Sequence, residues 1–205
     1  MIIKNILEKT DTINEFVHFK NSIDPSFITF EEVTDYFIPP TTLNVELVLD
    51  SKKLQIPKIG IYQDKNFVIE NLVAGATFCI FKYINPNART FRLFEEVCDY
   101  YPDKSVDFHL YGSISETSKS FPAHNDLATN FIVQLEGQCE WIIYKERASY
   151  EEAYNYVILP EDRLTEETRV IVKPGDILYI PSGKYHKCIP LGKRLSLCIH
   201  ILNIQ

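Results

Sequence analysis

His124, Asn125 and Asp126 form a His-x-Asp triplet, and His186 follows 62 residues after the first histidine. Each end sits in a stretch of strand-like composition. Side chains two apart on a strand point to one side. His124 and Asp126 therefore aim at a common point, and a second strand carrying His186 can complete a three-ligand face. Two imidazoles and one carboxylate on one face of a metal leave the opposite positions open. That is how non-haem Fe(II) sites admit a cosubstrate and dioxygen. Spacing alone leaves this level with a plainer reading, a surface or turn histidine beside a nearby carboxylate. Three features add to the metal reading: the strand-forming run Phe131–Leu135 follows the triplet, the tight turn Pro181-Ser182-Gly183 precedes His186, and three of the five histidines (His124, His186, His200) fall on C-terminal strands.

Further polar residues share a face with other strands. From Arg194 to Ile201, Leu195, Leu197, Ile199 and Ile201 alternate with Arg194, Ser196, Cys198 and His200. Either the polar side is solvated, or it faces a lumen beside the metal. In the second case Arg194 needs an anion, and its planar fork matches a carboxylate bidentately. With the Ser196 hydroxyl it can grip the distal carboxylate of a 2-oxo diacid. On Val106–Tyr111, the residues Asp107, His109 and Tyr111 share one face. Turned inward, His109 and Tyr111 line the site; turned outward, they are solvated. Asp107-x-His109 is also a reversed rival for the ligand pair, without an accompanying turn or second histidine. His18 lies in an expected helix and reads as a satisfied or exposed residue.

These residues need elements to hold them. Asp11–Lys20 places Ile13, Phe16 and Val17 at helical spacing. Phe30–Phe37 reads as a second short helix stopped by Pro39-Pro40. Leu43–Leu49 and Ala76–Ile84 read as strands, with a turn at Asp50-Ser51-Lys52. Arg89–Tyr101 sets Phe91, Phe94, Cys98 and Tyr101 on one helical face and ends at Pro102. Strand-like segments then follow closely: Val106–Tyr111, Ala123–Leu135, Cys139–Tyr144, Val170–Lys173, Ile177–Ile180 and Arg194–Ile201. Turn residues separate them. The acidic stretch Ser149–Thr168 reads as a surface insertion with a short helix. The expected class is mainly β, a β-barrel or sandwich supported by a helical and mixed N-terminal part.

The chain has 205 residues, 45% apolar and 24% charged, with a formal net charge of -7. One soluble domain fits this size and balance. The negative charge argues against a nucleic-acid backbone or an anionic membrane as the main partner. No apolar run approaches a membrane span, and Lys4 breaks the weak apolar start, so no signal-peptide core is expected. The five scattered cysteines form no CxxC, which argues against a disulfide scaffold or thiolate zinc site and for a cytoplasmic protein with reduced thiols.

From about Glu70 to Ile201 the chain resembles the JmjC/cupin-like Fe(II), 2-oxoglutarate-dependent oxygenases. The resemblance rests on Ala74-Gly75-Ala76-Thr77, on Pro122-Ala123-His124-Asn125-Asp126, on Asn130 through Gly137 with Trp141 after it, and on Val172 through Pro181 followed by His186. It implies a double-stranded β-helix, a jelly-roll or cupin-like barrel, with N-terminal helical support. In that reading 1–205 is a single domain, 1–70 being the support and 71–205 the β-helix core. It implies iron-ligand roles for His124, Asp126 and His186. It also implies a cosubstrate or substrate contact for Asn130, with Tyr111, Arg194 and Ser196 as further cosubstrate-binding candidates. The cofactors implied are Fe(II), 2-oxoglutarate and dioxygen. The activity implied is hydroxylation of a peptide or protein side chain, or of an amino-acid-like small molecule. Two positions depart from the family pattern. Cys139 stands where many members carry Lys or Arg, fifteen residues after the first histidine. Phe121 stands where many carry Thr or Ser. Arg194, with Ser196, then replaces the missing anchor from another strand. The alternative is a metal-binding cupin, an isomerase or ligand-binding module, that does not use 2-oxoglutarate.

Overall fold

The computed structural model describes residues 3–34, 45–60, 62–83 and 88–203. In chain order the elements are helix α1 (Lys4–Thr10), strand β1 (Val17–Phe19), a 3-10 turn (Pro25–Phe27), α2 (Phe30–Thr34), β2 (Val45–Leu49), β3 (Lys52–Leu54), β4 (Lys58–Ile59), β5 (Tyr62–Gln63), α3 (Lys65–Val73), β6 (Thr77–Ile80) and α4 (Ala88–Tyr100). Then come β7 (Lys104–Ser113), β8 (Thr129–Glu136), β9 (Cys139–Arg147), α5 (Tyr150–Tyr154), a 3-10 turn (Glu161–Arg163), β10 (Glu166–Val172), β11 (Ile177–Ile180), β12 (Lys184–Pro190) and β13 (Arg194–Asn203).

The strands form a large sheet ordered β1-β11-β8-β13-β7-β6-β2-β3 and a small sheet ordered β10-β9-β12, with β4 and β5 as a separate hairpin. The pairings in both main sheets are antiparallel. From β8 onward the chain crosses between the two: β8 lies in the large sheet, β9 and β10 in the small one, β11 in the large, β12 in the small and β13 in the large. This winding makes a double-stranded β-helix with a lumen between the sheets.

Three apolar layers follow from strand alternation. Outside the large sheet, Leu195, Leu197 and Ile199 pack with Leu7 of α1 and Val97 of α4 in one continuous core. Between the sheets, Ile132, Trp141, Ile143, Leu178, Cys188 and Cys198 fill the lumen. Outside the small sheet, Ile142, Tyr144 and Tyr185 pack beneath Ala153 of α5. Strand β13 is therefore covered on both sides, and its polar face is not the solvated one. Arg194, Ser196 and Cys198 are all buried.

Several local expectations change. Asp11–Lys20 is not a helix. The helix lies earlier, as α1, and Val17–Phe19 adds an edge strand to β11 with Val17 opposite Tyr179. Three apolar residues at helical spacing are a weak preference, and an open sheet edge outweighs it for Val17 and Phe19. The strand expected from Ala123 begins only at Thr129. Residues 123–128 leave the ladder to turn the triplet inward. Helix α2 ends at Thr34; the rest of the expected Phe30–Phe37 helix, Pro39-Pro40, Leu43 and Ile84 lie outside the described residues. Elements not expected are the β4–β5 hairpin and α3, capped by Asp64 accepting from the Asn66 and Phe67 N–H groups; the strand expected to carry His186 is β12, Lys184–Pro190. Helix α4 matches its expected range to within a residue. The Ser149–Thr168 insertion does contain a helix, α5, started by a capping box between Ser149 and Glu152.

Candidate metal centre

Backbone pairing builds the site before any side chain is considered. His124 N–H donates to the His186 carbonyl at 3.0 Å, and His186 N–H donates to the His124 carbonyl at 2.8 Å. This isolated bridge docks the triplet onto the edge of β12. The turn before β12 holds the other end. Gly183 N–H donates to the Asp126 carbonyl at 2.8 Å, and Ser182 Oγ donates to the Leu127 carbonyl at 2.7 Å. Gly183 has φ +78°, and a Cβ there would sit 2.4 Å from the Ala148 carbonyl oxygen. Only glycine satisfies both the left-handed backbone and that close approach.

The side chains converge. The ligand atoms of His124, Asp126 and His186 all lie within 4.8 Å of one another. His186 Nε2 is 3.4 Å from Asp126 Oδ2, and His124 Nε2 is 3.9 Å from Asp126 Oδ1. His124 Nδ1 bonds the Pro122 carbonyl at 2.8 Å, and His186 Nδ1 bonds the Lys184 carbonyl at 2.9 Å. A carbonyl only accepts, so each Nδ1 carries its proton and each Nε2 presents a lone pair to the common point. His186 is buried, while His124 and Asp126 are half-exposed, so one side of the trio stays open.

Electrostatics favours the ligating forms. Burial and the nearby His186 lower the His124 pKa, against the opposing pull of Asp126. Burial pushes the Asp126 carboxyl up, but the neighbouring His186, with His124 and His200, outweighs it and holds the carboxyl well below the ordinary carboxylate range. Asp126 is therefore ionised and His124 neutral at neutral pH, a donor set suited to a hard or borderline dication. Among the described residues no other group of three or more His, Cys, Asp or Glu side chains could hold an ion, so the Asp107-x-His109 rival fails. His18 is also no ligand; its Nε2 pairs with Asp176 at 2.9 Å.

The remaining candidate residues surround the same lumen. Asn130 is buried on β8 and donates Nδ2 to Asp126 Oδ2 at 2.6 Å, leaving its Oδ1 without a partner. Tyr111 turns inward. Burial raises its phenol well above the usual range, with the Cys79 and Cys198 thiols close by, and its ring meets Phe121 edge-on at 6.1 Å. Arg194 is 1% exposed, and its Nη1 donates to Ser196 Oγ at 3.3 Å. Ser196 passes its own proton to Gln134 Oε1 at 2.8 Å, so the hydroxyl orients Arg194. Arg194 Nε is buried without a partner, and among the described residues no carboxylate lies within ion-pair distance of it. A buried guanidinium in that state is a receptor for an anion. Cys139 sits beside it. A hydrogen bond from Cys188 pulls this thiol down to about 7, burial opposes that, and the Arg194 charge assists it.

Further residues stand around the site. His200 faces inward from β13, and its ring lies 4.2 Å from that of His109. Burial lowers the His109 pKa to about 3, and His200 adds to the shift. Trp141 packs against the His186 ring at 5.8 Å. Asn125 and Tyr185 flank the ligands and both bond the Val157 carbonyl, each at 3.2 Å. Nothing in their local sequence signals this, because their shared partner lies about 30 residues away from each in the chain.

Comparisons agree with this geometry. Residues 84–205 match the model of the JmjC domain. Ribosomal oxygenase 2 of Rattus norvegicus is 37% identical over 90 residues, 43% of this chain and 19% of that protein. The bifunctional lysine-specific demethylase and histidyl-hydroxylase NO66 of Drosophila simulans is 28% identical over 131 residues, 59% of this chain and 15% of that protein. The Escherichia coli ribosomal oxygenase YcfD, solved with cobalt and 2-oxoglutarate, superposes with a TM-score of 0.67 at 17% identity, covering 97% of this chain and 52% of that one. The chain thus spans about half the length of that structural relative and under a fifth of the curated ones.

Proposed function

This chain belongs to the JmjC domain family, and from that premise we propose that it is an Fe(II)- and 2-oxoglutarate-dependent oxygenase that hydroxylates a polypeptide side chain. The observation that carries the reading is the pairing of an open His-Asp-His face with Arg194, a buried guanidinium lacking a carboxylate partner in the same lumen. His124, Asp126 and His186 would hold Fe(II), and Arg194 the distal carboxylate of 2-oxoglutarate. When bound, the iron and cosubstrate supply the oxidation, in which 2-oxoglutarate, dioxygen and a substrate C–H give succinate, carbon dioxide and a C–OH.

The chain's own part is placement. Asn130 fixes the Asp126 carboxylate, the two backbone carbonyls fix the imidazole tautomers, and Ser196 with Gln134 fixes the guanidinium. Trp141, Leu178 and Ile180 line the lumen with apolar surface and exclude water from it. The names of the relatives, ribosomal oxygenases and a histidyl-hydroxylase, support a polypeptide substrate over a small molecule.

The test is anaerobic titration of 2-oxoglutarate into the Fe(II) protein, followed by succinate assay in air. Wild type should develop the weak visible charge-transfer band and release succinate slowly without substrate. A metal-binding cupin that makes no use of 2-oxoglutarate is the second reading, favoured by Cys139 at the usual anchor position; saturable metal binding without band or succinate would establish it instead.

Two broader assignments belong to the same proposal. One core cluster runs from Ile3 to Ile201, which supports 1–205 as a single unit. The five cysteines are free, four of them buried, which supports a reducing compartment such as the cytoplasm. No helix among the described residues is long and apolar enough to cross a membrane.

A further inference from the structure

Strand alternation turns Cys139 of β9 and Cys188 of β12 into the lumen between the sheets, where both are buried. Cys188 stands opposite Trp141 and Pro190 opposite Cys139, so the two cysteines lie diagonally on one face. Cys188 hydrogen-bonds the Cys139 sulfur, and the Ser196 and Gln134 side chains reach it too. Ser196 Oγ also accepts from Arg194 Nη1 at 3.3 Å. One hydroxyl thus joins the thiol to a guanidinium whose residue is 1% exposed and whose Nε has no partner. A buried N–H left alone is costly, so that donor calls for an acceptor beside the sulfur.

The setting makes Cys139 the reactive thiol of the lumen. A thiolate is the nucleophile, and a neighbouring cation favours it. The Cys188 bond, with help from the Arg194 charge, draws Cys139 down to about 7 against burial. Burial instead raises Cys79, Cys188 and Cys198. Cys139 itself is fully buried, so only a reagent small enough to follow the cosubstrate into the lumen reaches it.

We propose that Cys139 is an oxidation site that gates the cosubstrate: a small hydroperoxide converts it to a sulfenic acid, whose oxygen takes the free Arg194 donor and keeps 2-oxoglutarate out. The gating half rests on the oxygenase reading. In the step itself the Cys139 sulfur attacks one peroxide oxygen. The S–O bond forms as the O–O bond breaks, and the leaving hydroxide takes the thiol proton to become water. Sulfur is oxidised and the peroxide is reduced. The product stops there because the diagonal placement keeps Cys188 from closing a disulfide. Diagonal Cα atoms on paired strands are about 7–8 Å apart, and a disulfide usually spans less than about 7 Å.

The test uses the full chain loaded with Mn(II), so that oxidation of iron cannot imitate the effect. The protein is treated with hydrogen peroxide and then catalase, and 2-oxoglutarate binding is read by calorimetry. A parallel sample is trapped with dimedone, which labels sulfenic acids, and mapped by peptide mass spectrometry. Wild type should carry the adduct on Cys139 and lose about tenfold or more in 2-oxoglutarate affinity, regained after dithiothreitol. Cys139→Ala should bind 2-oxoglutarate equally before and after peroxide, and Cys139→Ser gives the same reading if the alanine variant does not fold. Cys98→Ala, on α4 and partly exposed, should stay as sensitive as wild type. No adduct on Cys139, a Cys139–Cys188 disulfide in its place, or unchanged affinity in oxidised protein overturns the proposal and leaves the oxygenase reading standing. Untreated wild type that fails to bind 2-oxoglutarate overturns the oxygenase reading, and the gate with it.

Discussion

Asn130 holds Asp126 through one short hydrogen bond, Nδ2 to Oδ2 at 2.6 Å, made by a residue four positions further along the chain. The bond occupies the oxygen nearer His186 and turns the carboxylate in a defined way. Outer partners of this kind typically contribute about 10- to 100-fold to metal affinity. Asn130→Leu should therefore weaken Mn(II) binding by about that factor, read by calorimetry. Wild-type affinity in that variant would show that Asp126 needs no such support.

Arg194 predicts opposite effects on binding and on stability. Arg194→Met removes a buried charge with no carboxylate partner, so the ligand-free protein should melt higher, by about 1–3 kcal/mol of added stability. The same change should weaken 2-oxoglutarate by about 100-fold, on the order of 3 kcal/mol, as expected when one partner of a buried charge pair is lost. Adding Cys139→Arg to Arg194→Ala returns a guanidinium to the family's usual position and should recover most of the affinity. A titration showing Arg194→Met equal to wild type would remove Arg194 from the site.

The turn before β12 predicts a coupled loss. Gly183→Ala forces a Cβ against the Ala148 carbonyl and strains a left-handed backbone. The cost should be about 1–3 kcal/mol in thermal or urea unfolding. Gly183 N–H also holds the Asp126 carbonyl, so Mn(II) affinity should fall in the same variant. Unfolding loss with intact metal affinity would separate the turn from the site.

His109 predicts an acid-side weakness. Its folded pKa is lowered from 6.5 to about 3, chiefly by burial. Above pH 6.5 it is neutral in both states and contributes nothing to the pH dependence. Below that, the unfolded chain takes up a proton that the folded one refuses, so stability falls as pH drops toward 3. The loss should reach about 2 kcal/mol by pH 5. His109→Phe should flatten this limb of the stability profile between pH 6.5 and 4 in chemical denaturation. An unchanged slope would show that His109 does not control it.

Chemistry-bearing residues were legible where type and spacing act locally. The triplet, His186 and the alternation on β13 each declared a face within a few residues, and the large-sheet strands β7, β8, β11 and β13 follow from β-branched and aromatic runs. What was hidden depends on distant pairing. The strand carrying His186 had no legible bounds, because Lys184–Pro190 becomes β12 along a ladder that β9 supplies. Val17–Phe19 becomes a strand only because β11 leaves an edge. The helix over Lys65–Val73 has a weak apolar face and depends on the Asp64 cap. The role of Ser196 was half legible: its side faces the lumen as expected, but only the fold shows its proton committed to Gln134.

The mutual backbone clasp of His124 and His186 has a consequence for how an ion would be handled. Peptide groups far from any coordination bond already register the two loops, so the receptacle exists before its guest arrives. Stripping the protein with a chelator should leave its secondary structure and cooperative melting intact and abolish turnover alone. Reloading would then be simple capture by a finished vessel, unlike small zinc modules whose chain collapses only around the cation.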